Sequence, residues 1–182
     1  MKTNVEAAIA AAGSGHAASL GRLVELLRFP TVATDPAFHA DCRKAAEWIR
    51  AELISIGFES SRHPTTGQPV VIGTYAPKDL PPHAPHILFY GHYDVQPADP
   101  LHLWESPPFE LQIRKGKDGK NRIFARGASD DKCQLMTYLE ATRAWLSVHG
   151  RLPFRLTILI EVIEAGDSSH GYRFLAENHK SV

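Results

Sequence analysis

Ile87-Leu88-Phe89-Tyr90-Gly91-His92-Tyr93-Asp94 is an apolar run that delivers straight into an imidazole and a carboxylate two residues apart. The run reads as a strand, and period-two geometry aims His92 and Asp94 the same way if the strand continues through them. One group can bind a metal while the other holds the ring in the correct tautomer. Two further segments end in acids. Ile123-Phe124-Ala125 leads into Arg126-Gly127-Ala128-Ser129-Asp130-Asp131-Lys132, and Phe154-Arg155-Leu156-Thr157-Ile158-Leu159-Ile160 leads into Glu161-Val162-Ile163-Glu164. Three strand ends finishing in His, Asp or Glu predict a single metal site.

The segment from Phe154 to Ile160 is almost continuously apolar and β-branched, which suits a strand buried on both faces of a mostly parallel sheet. Around it the pattern turns helical. Leu20, Leu23, Val24, Leu26 and Leu27 form a stripe that stops at Phe29-Pro30, because proline disfavours helix at the residue before it. Asp35-Pro36 reads as an N-cap followed by proline at the first helical position. The helix it opens carries Cys42, Ala45, Ala46, Ile49, Leu53 and Ile56 on one face and ends at Gly57. Phe58 to Arg62 and Val70 to Tyr75 read as paired strands. Phe109 to Ile113 and Arg122 to Ala125 read as a hairpin around a solvated Lys-Gly turn. A further helix is predicted from about Asp131 to His149, and a last one over Tyr172 to Asn178. Helices alternating with apolar strands predict an α/β three-layer sandwich with a mostly parallel central sheet and ligands at the carboxyl ends of its strands.

Composition narrows the function. With 20 basic and 20 acidic residues the net charge is zero. No basic block stands out, so the footprint of a nucleic-acid binder is missing. No apolar stretch approaches the ~20 residues a membrane helix needs, and the Ala-rich N-terminus, interrupted by Glu6 and Gly13-Ser14-Gly15, lacks a secretory core. Cys42 and Cys133 are far apart and read as free thiols. These features predict a soluble cytoplasmic protein.

Gly91-His92-Tyr93-Asp94-Val95-Gln96-Pro97, Trp104-Glu105-Ser106-Pro107-Pro108-Phe109 and Arg126-Gly127-Ala128-Ser129-Asp130-Asp131-Lys132 together resemble one family. It is the zinc metallopeptidase family of carnosinase-like dipeptidases, glutamate carboxypeptidases, acetylornithine deacetylase and succinyl-diaminopimelate desuccinylase. The resemblance runs from the first helix to about Leu175. It implies a zinc aminopeptidase-like fold and two zinc ions bridged by a carboxylate, with cobalt or manganese also suited to such donors. His92 matches the first ligand, Asp94 the residue that orients it, and Asp130 the bridging aspartate. Glu161-Val162-Ile163-Glu164-Ala165-Gly166-Asp167-Ser168 matches the family's acidic signature, with Glu164 in the place of the general base. The implied reaction is hydrolysis of a peptide or amide bond in a dipeptide or N-acyl amino acid.

Three positions depart from the pattern. Ala165 stands where the signature has a zinc-binding glutamate, Cys133 replaces a glycine, and the family's remaining ligands have no counterpart before Val182. Family members are longer, are often homodimers, and insert a second domain that dimerises and covers the substrate. The resemblance therefore implies that residues 1–182 are the N-terminal portion of a catalytic domain, without the lid and dimerisation domain or the C-terminal part. A non-catalytic remnant that serves as a binding or assembly module is the alternative. Trp104 and Phe109 read as packing residues, and Asp130 would also serve as a helix N-cap. A serine hydrolase built on Gly166-Asp167-Ser168 is disfavoured, because no Gly-x-Ser-x-Gly elbow occurs.

Overall fold

The structure, a computed structural model, describes residues 2–162. In chain order these form α1 (Lys2–Ser14), α2 (His16–Leu27), α3 (His39–Ser55), β1 (Glu59–His63), β2 (Val70–Tyr75), β3 (His86–His92), β4 (Gln112–Lys115), β5 (Asn121–Phe124), α4 (Lys132–His149) and β6 (Arg155–Glu161). The segments predicted around Glu164 and Tyr172 lie outside the described residues.

Local chemistry sets most boundaries. The Asp35 carboxylate accepts the Ala37 N–H at 2.9 Å, and Pro36 opens a short 3₁₀ turn, Pro36–Phe38, that leads into α3. Gly57 and Gly150 end α3 and α4 with φ of 94° and 71°, backbone that a side chain would strain. The Ala-rich N-terminus, which carried no structural expectation, is helical as alanine's propensity favours, and α1 packs on α4. The hairpin is displaced from the predicted Phe109–Ile113 start. The Glu110 N–H donates to the Pro107 carbonyl at 3.1 Å, so a turn occupies the first of those residues and β4 begins at Gln112.

The main sheet has the strand order β1-β2-β6-β3. It is mixed rather than mostly parallel. β1 and β2 form an antiparallel hairpin, β2 pairs antiparallel with β6, and β6 pairs parallel with β3. The parallel pair is a strand–helix–strand crossover in which α4 returns the chain. β6 is buried from Leu156 to Glu161, as its near-continuous apolar sequence predicts. Its Leu156, Ile158 and Ile160 join Val71 against a helical core that includes Leu26, Leu27, Ile49, Leu53, Leu135 and Leu139. Leu159 joins Val70 and Ile72 on the opposite face. The described helices thus build one layer beside the sheet. Among the described strands β3 is the outer one, with Ile87, Leu88 and Tyr90 exposed.

A charged cluster clamps three helices. The Arg22 guanidinium donates twice to the Glu140 carboxylate at 2.6 Å, and Ser19 adds a third bond. Arg143 bonds to Glu52 from the other side. Burial raises the Glu140 pKa, but the Arg22 and Ser19 hydrogen bonds and the nearby guanidinium charges outweigh it and hold the group below its ordinary 4.5. A depressed carboxylate contributes stability above its unfolded pKa and loses it as pH falls through the folded one. Glu140→Gln should therefore cost about 1–3 kcal/mol at pH 7. In urea melts the gap to the parent should close as the pH drops below 4.5.

Candidate metal centre

β3 carries its chain past the sheet edge at His92, and hydrogen bonds on all sides hold the next three residues. The Tyr93 N–H donates to the Glu161 carbonyl at 3.0 Å, and the Val95 N–H donates to the Thr31 carbonyl at 3.0 Å. Thr31, fully buried, donates its hydroxyl to the Tyr93 carbonyl at 2.6 Å. The Tyr93 phenol donates to the Pro69 carbonyl at 2.8 Å. This extension continues the alternation of β3, so His92 and Asp94 share a side as the two-residue spacing predicts.

The imidazole is gripped from both nitrogens. Nδ1 lies 3.2 Å from Asp94 Oδ1, and Nε2 lies 3.1 Å from Asp130 Oδ1. The Asp94 side chain has no exposed surface, whereas that of Asp130 is 70% exposed. Asp94 is thus an internal anchor and Asp130 an accessible donor at the rim. Burial acts most strongly on His92 and lowers its pKa. The Asp94 hydrogen bond and charge, followed by the charges of Asp131 and Asp130, overcome it and raise the ring to about 9. Without a metal at neutral pH, the ring proton on Nε2 sits between two Lewis bases.

Asp131 had no assigned role in the sequence, and here it supports the histidine backbone. Its Oδ2 accepts the His92 N–H at 3.2 Å. A Cβ at Gly91 would come 3.0 Å from that same oxygen, so a side chain before the histidine would press on the Asp131 carboxylate. Gly127 is similarly constrained: its φ is +81°, and a Cβ would meet Val95 Cγ1 at 2.8 Å. Asp131, not Asp130, precedes α4, and its side chain makes no capping bond to the helix. The Asp130–Asp131 peptide bond is cis.

Lys132 is wholly buried. Its Nζ donates to the Leu26 and Phe29 carbonyls at 3.2 and 2.8 Å, and burial pushes its ammonium down to about 7. Burial likewise pushes the Cys42 thiol up to about 12, with the Asp94 charge adding to it, so Cys42 is a neutral core group. Cys133 packs against the main core. Glu161, 1% exposed, accepts from the Tyr90 hydroxyl and is the β6 register partner of His92. Only its place in an acidic segment marked it in the sequence.

The structure therefore brings His92, Asp94 and Asp130 together, while Glu164 lies outside the described residues. Among the described residues no group of three or more His, Cys, Asp or Glu side chains is disposed to hold a metal ion. The donors that are present suit a cation. An imidazole nitrogen and a carboxylate oxygen converge at hydrogen-bond distance, and a buried acid fixes the other ring nitrogen. A metal can replace the proton between them. A complete catalytic set needs at least one more protein donor.

Comparisons with known proteins converge on one group. The model of peptidase family M20/M25/M40 matches residues 88–181. The chain is 40% identical over 107 residues to a cysteinylglycine-S-conjugate dipeptidase of Corynebacterium striatum, covering 58% of this chain and 22% of that protein. It is 29% identical over 153 residues to a Cys-Gly metallodipeptidase of Schizosaccharomyces pombe, covering 79% and 31%. The solved structure of the dipeptidase Dug1p from Saccharomyces cerevisiae superposes with a TM-score of 0.84 at 23% identity, over 98% of this chain and 38% of that one. That likeness establishes the fold, and the matched region spans less than a third of either curated relative's length.

The Asp94 contact makes the His92 titration testable without metal. Asp94→Asn removes the chief raising influence and leaves burial opposed only by the Asp131 and Asp130 charges, so the ring pKa should fall well below about 9. Long-range ¹H–¹⁵N NMR of the histidine ring reads this directly. A ring still titrating near 9 would show that Asp94 does not control it.

Proposed function

This chain belongs to peptidase family M20/M25/M40, and from that membership we propose that it forms the metal-binding front part of a hydrolase catalytic domain. The reaction is cleavage of the peptide bond of a dipeptide or of the amide of an N-acyl amino acid. The dipeptidases among its relatives support the first substrate class. One observation carries the reading: His92 Nε2 faces Asp130 Oδ1 at 3.1 Å while the buried Asp94 holds Nδ1.

His92 and Asp130 are the proposed metal ligands and zinc the proposed metal. A bound zinc would supply a water of lowered pKa and polarise the scissile carbonyl. Asp94 keeps the Nδ1 proton in place, so the lone pair of Nε2 stays directed outward. Asp131 fixes the main chain at His92, and the Gly127 turn brings Asp130 to the imidazole. Glu164 is the proposed general base, accepting a proton from the attacking water and passing it to the leaving amine. Cys42 and Cys133 are both free thiols, which supports a reducing, cytoplasmic setting. Among the described residues no helix is long and apolar enough to cross a membrane.

Metal content of the zinc-equilibrated chain, measured by mass spectrometry beside His92→Ala, tests the centre. We expect at least one zinc per chain, lost in the variant. Equal content in both would dismiss His92 as a ligand. Ala165→Glu, which restores the acid of the family signature, should tighten zinc binding by an order of magnitude or more, since each added charged donor strengthens such a site. No gain would favour a non-catalytic module.

A further inference from the structure

Beside the proposed metal centre lies a cleft of about 520 Å³ that the reaction chemistry does not use. It opens between Leu103-Trp104, the β4–β5 hairpin and the turn at Ala128-Ser129. Ser129 is one residue from Asp130, so the cleft adjoins the position where a scissile bond would lie. Its volume falls in the range typical of small-ligand sites.

The walls combine apolar side chains open to water with Glu105, Ser106, Arg114 and Ser129. Leu103 is 71% exposed and Phe124 39%, and Ile123 and Trp104 also line the cleft. The charge within it is already matched. The Arg114 guanidinium lies 5.0 Å from the Phe124 ring centroid and donates to the Glu105 carboxylate and the Ser106 hydroxyl. The Trp104 indole N–H donates to the Ala98 carbonyl at 2.8 Å, and the Arg126 guanidinium lies 5.2 Å from that ring. The aromatic walls are therefore braced, and Arg114, the one cation among the described lining residues, is engaged by an acid. A second carboxylate entering the cleft would meet Glu105 and an occupied guanidinium, whereas an alkyl or aryl group would displace water from exposed leucine and phenylalanine.

We propose that this cleft is a specificity subsite that receives an apolar side chain of the substrate and disfavours an acidic one. The proposal deepens the metallohydrolase reading above and rests on it for the position of the scissile bond.

The test uses the ¹⁵N-labelled chain, with the Trp104 indole signal assigned by comparison with Trp104→Phe. Glycyl-leucine, glycyl-glycine and glycyl-aspartate are titrated with and without zinc chloride, and zinc content is measured separately. Glycyl-leucine should move the Trp104 signal and bind about ten-fold more tightly than glycyl-glycine, with glycyl-aspartate no tighter than glycyl-glycine. Leu103→Asp, on an exposed turn where folding is not at stake, should abolish the leucine preference and leave zinc uptake unchanged. Phe124→Leu should keep the preference. Equal affinities for the three dipeptides, or a leucine preference that survives Leu103→Asp, overturn the subsite whatever the zinc result. Absence of zinc with a retained, Leu103-dependent preference upholds the cleft and rejects the metal centre instead.

Discussion

A lysine ammonium with no exposed surface must find acceptors, and the way Lys132 does so fixes the geometry of the whole functional edge. Its two bonds run to carbonyls at the end of α2 and just beyond it. Two residues past the second of these, Thr31 holds the Tyr93 carbonyl and the Val95 amide. Val95 in turn packs where a side chain at Gly127 would stand, and the Gly127 carbonyl accepts the Lys132 N–H at 3.2 Å. The circuit closes on itself. It joins the C-terminal end of α2, the extension of β3 and the acidic turn before α4 into one frame, with His92 and Asp130 facing each other across it.

The strongest sequence signals were those with a single physical cause. The hydrophobic periodicities of α3 and α4 and the continuous apolar run of β6 are each set by which faces are buried, and each appears close to its predicted place. The His92–Asp94 spacing was legible for the same reason, since period two places both on one side. Strand direction was not. Whether β2 runs with or against β6 depends on its being the return strand of a hairpin with β1, and no local pattern in Val70 to Tyr75 records that.

The supporting residues of the site were also hidden, because their partners are distant. Asp131 serves a backbone amide 39 positions away and Thr31 a carbonyl 62 away. In the sequence one is half of an Asp-Asp pair and the other an ordinary loop threonine. The nearest clue is Gly91, a glycine at the end of a strand, which signals close approach by something. Its identity as the Asp131 carboxylate emerges only from the fold. Glu164 was singled out as a strand-end acid and given its role by resemblance, and it lies outside the described residues.

The placement of β6 between β2 and β3 sets an order of events during synthesis. β1 and β2 are close in sequence and can pair as soon as both have emerged. Among the described residues β3 has no strand to join until residues 155–161 exist, because its partner there is β6. Forming that parallel pair closes a loop of some 70 residues, for instance from Leu88 to Thr157, and the ordering cost precedes the contacts that repay it. Until then the edges of β2 and β3 stand open to other chains, and the Tyr93 amide lacks its Glu161 carbonyl. The imidazole thus acquires its final orientation only after the chain through Glu161 has emerged, and a metal arriving earlier would meet a segment that has not yet taken its place in the sheet.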